Sequence, residues 1–355
     1  MYKYVLTGSF LLFQITSEVA FAQSGFSSED ALIKETQDFF LSGKYSEAAP
    51  LYAQLLSTHP LNDTFHLNYG ISMLSSFKNK SEAVYQIEMV AKAKKIFPET
   101  DFYLAKAYHL TYQFAKAMER LELVTKNPKE NKETKQEADI LFSMCRNAQS
   151  YDFNAFSEFI ISKEETREDD GISLYNFENY SGKFLAKPEK FAKGKGNKEN
   201  TGNYVFLSAS GNFIVFSGPG KSNTTELFIS RKRFGKNEWT DAQPVKFQNE
   251  TPGNKITPVI SSEGDTLYFS WNSSKSIGGY DVFQSVFNRT INLWSEPENL
   301  GPPINSVYDD FNFLSSAEND FAYVCSVRDC DAGKINVLKI DLKSLKTLLQ
   351  NSAKK

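Results

Sequence analysis

Histidine is nearly missing from this chain of 355 residues: there are three, His59, His66 and His109, and none follows residue 109. That takes the usual general base and the commonest metal ligand out of the whole second half. A Ser-His-Asp hydrolase built there would lack its base. No His-x-x-x-His, Gly-x-Ser-x-Gly or phosphate-loop pattern is present either. Cysteine is as sparse, with Cys145, Cys325 and Cys330 alone. In an oxidising compartment Cys325 and Cys330 would close a small disulfide loop. Two thiols at a strand end are an equal reading, and the sequence leaves both open. Metal binding by this pair has no histidine to complete it, so no metal or other cofactor is expected.

An excess of one charge is absent too. Lys and Arg total 40 against 43 Asp and Glu, a net charge of -3. That gives no electrostatic case for nucleic acid or for a basic membrane surface across the whole chain. Lys183, Lys187, Lys190, Lys193, Lys195 and Lys198 do gather, interleaved with Gly and Asn. They read as a solvated loop.

Long hydrophobic runs are lacking beyond the first residues. Val5 to Phe13 is apolar, ends at Gln14, and is far short of the ~20 residues a spanning helix needs. With Lys3 before it and Ala20-Phe21-Ala22 after it, residues 1–22 read as a secretory signal cleaved before Gln23. No cysteine follows that cleavage site, so no lipid anchor is expected. The mature protein is expected to be exported, in the periplasm or at the outer membrane, and not to span it.

What is present divides into two textures. Residues 28–150 read as helices joined by short polar turns. In "GKYSEAAPLYAQLLSTHPLN" small Ala48 lets a neighbour approach, while Tyr52, Leu55 and Leu56 form an apolar stripe that Pro60 ends. Gly70 and Ala83 hold the corresponding places in a second unit, and Leu104, Ala105, Tyr108, Phe114, Ala117 and Leu121 in a third. A last helix, "ETKQEADILFSMCRNA", is expected to cover the end of the stack, with Cys145 a buried core thiol.

Residues 152–345 alternate aromatic and β-branched residues with polar ones, and their turns carry Gly, Asn and Pro. Phe228 and Phe283, Ser230 and Ser285, Trp239 and Trp294, Tyr268 and Tyr323 each stand 55 apart. Phe184 in "YSGKFLAKPEKF" precedes Trp239 by the same 55. Ser210-Gly211 and Glu263-Gly264 supply tight hairpins, with Glu318-Asn319 in the last copy. A period this regular means a repeated β unit, and the space suits about four of them. Residues 346–355 are left as a polar tail.

Two resemblances follow from these residues. The helical half resembles the tetratricopeptide repeat, in which about 34 residues make a helix pair and the pairs stack into a solenoid with a concave groove. The strand half is similar to the WD-repeat-like, TolB-type β-propellers of exported Bacteroidetes proteins. The residues that carry this are Gly278-Gly279-Tyr280-Asp281-Val282-Phe283, Trp294-Ser295-Glu296-Pro297, Asn299-Leu300-Gly301 and Ile304-Asn305-Ser306. The order of signal, helical repeat and propeller resembles the N-terminal part of OmpA-family, PorE-like envelope proteins. Their C-terminal peptidoglycan-binding domain is not expected after "LKSLKTLLQNSAKK".

By the first resemblance, Gln37, Phe40, Thr64, Ile71, Lys106 and His109 would line a groove for an envelope protein or peptide. By the second, Trp271 and Tyr280 would stand at a propeller mouth able to hold a cell-wall glycan. Asp169-Asp170 and Asp309-Asp310 point to opposite faces of a strand as neighbours do, so neither is an acid–base pair, and both read as solvated turn acids. "DCDAG", Asp329 to Gly333, offers two carboxylates without the other oxygen ligands of a calcium loop. The expectation is an α-then-β, two-domain, non-enzymatic scaffold of the cell envelope.

Overall fold

The computed structural model describes residues 28–75, 80–93, 97–167, 180–192, 204–220, 224–236, 238–249, 251–330 and 332–352. The export signal read over residues 1–22, Asp169-Asp170, Lys193, Lys195, Lys198 and Asp331 lie outside these. Among the described residues no helix is long and apolar enough to cross a membrane.

The first half is helical. Six helices pair as consecutive antiparallel neighbours: α1 (Glu29–Leu41) with α2 (Tyr45–Thr58), α3 (Asp63–Ser75) with α4 (Lys80–Ala91), and α5 (Thr100–Leu110) with α6 (Phe114–Lys126). A seventh, α7 (Lys132–Ala148), packs on α6. Their ends follow from local chemistry. Ser28 Oγ accepts the Ala31 N–H at the start of α1 and Asn131 Oδ1 accepts the Thr134 N–H at the start of α7. Gly43 stands at φ +73°, a conformation open to glycine, and turns the chain from α1 into α2.

Spacing along the helices is set by small residues. Ala48, Ala83 and Ala117 are all wholly buried, and each lies in the second helix of its pair. Gly70 is the tightest contact: a Cβ there would lie 2.5 Å from Ile87 Cγ1.

The second half is built of antiparallel strands. After a helical turn α8 (Phe153–Phe156) comes β1 (Ile160–Arg167). The first sheet holds β2 (Gly182–Ala186), β3 (Tyr204–Ser208), β4 (Phe213–Pro219), β5 (Thr225–Arg231) and β6 (Gln243–Pro244) in that order, with the short helix α9 (Glu189–Ala192) between β2 and β3. The second holds β7 (Lys255–Ile260), β8 (Thr266–Trp271), β9 (Asp281–Asn288), β10 (Leu293–Trp294) and β11 (Glu298–Asn299), the last two both pairing with β9. The third runs β12 (Asp310–Ser315), β13 (Phe321–Ser326), β14 (Lys334–Asp341) and then β1. So the first strand of this half closes on its last, with Glu164 opposite Val337 and Arg167 opposite Lys334.

The repeat is written in hydrogen bonds. Ser230 Oγ donates to Thr240 O and Ser285 Oγ to Ser295 O, 55 residues on. Asn254 Oδ1 accepts the Thr225 N–H at 2.9 Å, and Asp309 Oδ1 accepts the Tyr280 N–H at 2.7 Å. The hairpin residues Gly211, Gly264 and Asn319 all take positive φ, at 69°, 70° and 55°. Phe206, Val215, Val259, Phe269, Leu314 and Val337 draw all three sheets into one apolar cluster.

Four repeat units were expected, and the described strands form three sheets. The stretch around Phe184 is not a fourth sheet but β2, an added strand on the first, pairing Phe184 with Phe206. The stretch expected as a polar tail after residue 345 continues a helix, α10 (Leu342–Ser352), whose Leu342 and Leu345 are buried against the third sheet.

Candidate functional site

The two halves meet at a seam built by two loops, 272–280 before β9 and 300–309 before β12. Glycine lets them cross. A Cβ on Gly278 would lie 2.4 Å from Tyr308 O, and one on Gly279 would lie 1.9 Å from Asp309 Oδ1. Each loop is tied by an aspartate at the start of its strand that accepts the N–H four residues back. Asp281 Oδ2 takes the Ile277 N–H at 2.6 Å, and Asp310 Oδ2 takes the Ser306 N–H at 2.6 Å.

Further side chains complete the tie. Asn299 Nδ2 donates to Asp281 Oδ2 at 2.6 Å. Asn305 copies a strand: its Oδ1 accepts the Val282 N–H and its Nδ2 donates to Val282 O. Arg328 donates to Pro303 O, Ile304 O, Ser326 Oγ and Asp310 Oδ1. Both Asp281 and Asp310 are fully buried. Burial pushes the Asp281 carboxyl well above the usual carboxylate range against the pull of the N–H donors from Ile277, Gly278 and Asn299, and the charge of Asp310 adds to the rise.

The helices dock on these loops. Asn147 Nδ2 donates to Ser274 O and Ser276 O, each at 2.9 Å, and the Tyr308 hydroxyl donates to Leu110 O at 3.1 Å. Ile277, Val307 and Tyr308 share an apolar cluster with Leu104, Leu121 and Leu141. Beside the seam opens a cleft of about 720 Å³, lined by Tyr112, Phe114, Tyr151 and Phe153 on one side and by Asn305 and Arg328 on the other. Tyr112 and Phe153 have ring centroids 4.9 Å apart, and Tyr112 is 41% exposed.

The residues expected from sequence fall into two groups. Gln37 is exposed, while Thr64 and Lys106 are half-buried, the last with its ammonium 5.2 Å from the Phe102 ring. Phe40, Ile71 and His109 are packing residues. Phe40 sits edge-on to Tyr45 and Tyr52, and Ile71 is core. His109 is buried, with Nδ1 3.3 Å from Cys145 Sγ. Burial lowers the His109 imidazole to about 4 and raises the Cys145 thiol to about 12, so both stay neutral and the pair makes no thiolate.

Trp271 is not at a mouth. It is wholly buried between sheets, edge-on to Phe283 with centroids 5.2 Å apart. Tyr280 is half-buried and held through its backbone by Asp309 and Asp310. Cys325 and Cys330 are not joined by a disulfide; both are buried thiols, with Cys330 donating to Ser326 O. Asp309-Asp310, read as solvated, is the opposite: both bond within the seam. Asp329 pairs with Lys163 Nζ, at 3.2 Å.

Asp281, Asp310, Asn305 and Arg328 were missed as a unit. The signal lay in the 55-residue register, where Asp281 and Asp310 stand at the places of Glu226 and Lys255. Those two form a direct ion pair of 2.8 Å with Lys255 almost wholly buried. An acid in place of Lys255 demands a new cation, which Arg328 supplies. No family model matches the chain, and neither a curated protein nor a solved structure does.

Proposed function

We propose that this protein is a non-enzymatic scaffold of the cell envelope, with a tetratricopeptide-like helical stack and a small propeller-like β half. The helix pairs, the alanines at intervals of 34 and 35, and Gly70 against Ile87 support the first likeness. The repeated sheets around one core, and an outer strand β1 that closes on β14, support the second. Three sheets stand among the described residues, and in this likeness each supplies a blade.

One observation carries the reading: the buried polar side chains of the seam are spent on loop backbone. Asp281, Asn305, Asp310 and Arg328 all bond to loop and strand backbone of the seam, including Asn305 and Arg328, which line the cleft. Such a network holds rigid the loops on which the helices dock, as a scaffold of two repeat arrays requires. The surface left for an envelope protein or peptide includes Gln37, Thr64 and Lys106, together with the aromatic cleft.

Crosslinked capture from native envelopes tests this with intact protein, a Gln37→Lys/Lys106→Glu variant and a Tyr112→Ser variant. Loss of one specific envelope protein in either variant is the expected result. An unchanged profile in both removes the scaffold reading. The aromatic wall of the cleft favours one alternative, a cell-wall glycan stacked on Tyr112. Binding of soluble peptidoglycan fragments that Tyr112→Ser abolishes, with no protein captured, would put it in the scaffold's place.

A further inference from the structure

The hairpin that follows β5 carries a side chain with no role in the fold. Its turn closes through the Lys236 N–H to Arg233 O at 3.1 Å and the Arg233 N–H to Glu238 O at 2.8 Å, with Gly235 at φ +69°. At its tip Phe234 is 105% exposed, more than the next large apolar side chains, Leu61 at 89% and Leu41 at 82%. A turn of this kind sets no demand for an aromatic at that place. Among the described residues nothing covers the ring, and its neighbourhood is what sets it apart from a lone surface apolar residue.

Charge around the tip is mostly positive, four cations against Glu238. Arg231, Lys232, Arg233 and Lys236 are all exposed, in a chain whose net charge is -3. No ion pair among the described residues engages these four. Glu238 lies across the hairpin from Arg233, whose N–H donates to its carbonyl, and Asp241 faces Lys190 at 3.9 Å. The neighbouring sheet adds a second tip of the same character. Ile291 is 49% exposed and Val286 46%, with Arg289 exposed between them. The Arg231 guanidinium lies 5.7 Å from the Phe287 ring and so ties the two hairpins together.

We propose that this double hairpin tip is a peripheral membrane-binding point, with Phe234 entering the headgroup boundary of a bilayer and Arg231, Lys232, Arg233 and Lys236 meeting anionic lipid phosphates. An apolar ring at the apex with cations behind it matches the layering of such a surface, apolar inward and anionic at the rim. A nucleic-acid strand is a poorer match, because it is held along a groove with several stacked aromatics, and here one ring stands on a convex point. A protein partner is poorer too, since interface anchors sit in a dry centre and not on a tip crowded with unpaired like charges. A free phosphate needs converging donors, whereas these cations are spread along two strands. The proposal is independent of the scaffold reading.

Vesicle flotation with the full chain tests it. Binding to phosphatidylcholine vesicles containing phosphatidylglycerol is expected, with none to phosphatidylcholine alone and steep weakening by salt. Phe234→Ser should weaken partitioning about tenfold by the loss of ring burial. Arg233→Ala and Lys232→Ala should each weaken it about fivefold. Phe234→Trp should keep binding and shift its emission to the blue when the charged vesicles are added. These positions are exposed, so unchanged circular dichroism is expected for every variant. No flotation with charged vesicles, or flotation indifferent to Phe234→Ser, overturns the proposal. So does competition by inorganic phosphate beyond an equal ionic strength of chloride, or equal Phe234-independent binding of a poly-glutamate peptide or an oligonucleotide.

Discussion

Arg328 donates from Nη2 to Oδ1 of Asp310 at 2.5 Å, and the carboxylate it meets has no exposure to solvent. The same guanidinium holds Pro303 O and Ile304 O, so one side chain joins the turn after β13 to the loop on which the helices dock. Removing it strands a buried charge and two carbonyls. Arg328→Met should lower stability by about 3–5 kcal/mol in denaturant unfolding. Adding Asp310→Asn should restore part of the loss, because the amide oxygen still accepts from Ser306 without carrying charge. An Arg328→Met loss under about 1 kcal/mol would mean the pair is solvated and weak.

Asp281 should make stability depend on pH in the direction opposite to most carboxylates. Its folded-state pKa is raised, chiefly by burial, so the folded protein keeps this proton at a pH where the unfolded chain has lost it. Its contribution is therefore whole below the ordinary carboxylate range near 4 and falls as pH rises through the folded value. Asp281→Asn removes that slope while keeping an oxygen for Ile277 and Asn299. The variant should gain on the parent steadily from pH 4 upward in paired unfolding curves. A difference that stays flat would show that the three donors hold Asp281 ionised in the fold.

These seam acids also show where sequence reasoning stopped. The hairpin glycines at 211 and 264, and Asn319 after them, were legible because a positive φ selects the residue type. Ala48, Ala83 and Ala117 were legible because close helix approach selects small side chains. Asp310 was not, because its cation lies 18 residues on and reaches it only through β12–β13 pairing, which sets Asp310 opposite Ser326. Trp271 misled for a related reason. Strand alternation says that a side chain leaves one face of a sheet, and both faces of β8 meet other sheets. By the repeat resemblance His109 and Ile71 read as groove positions, yet α3 and α5 are covered on both sides by their neighbours. Pairing of β1 with β14 joins segments about 170 residues apart, and no local pattern announces that.

Gly70 gives a test of the helical packing that propensity alone would get backwards. In an isolated helix, glycine to alanine gains about 1 kcal/mol. Here the new methyl would lie 2.5 Å from Ile87 Cγ1, inside a side chain with no exposure. Overpacking of that kind costs about 1–3 kcal/mol. Gly70→Ala should therefore lower the urea midpoint. A raised midpoint for this variant would mean that α3 and α4 move apart without cost.

His109 makes the opposite pH prediction to Asp281, and the two can be separated in one set of titrations. Burial lowers its imidazole to about 4, against an unfolded value near 6.5. The unfolded chain thus binds a proton between these values and the folded protein does not. This stability is whole above the unfolded value and is lost as pH falls through the folded one. The gap corresponds to about 3 kcal/mol between pH 7 and pH 4. His109→Met places an apolar side chain of similar length against Cys145 and has no proton to take up. It should unfold with a shallower acid slope than the parent, while sharing its behaviour above pH 7. Parallel curves across the acid range would show that His109 titrates normally, and that the α5–α7 interface opens to water near Cys145.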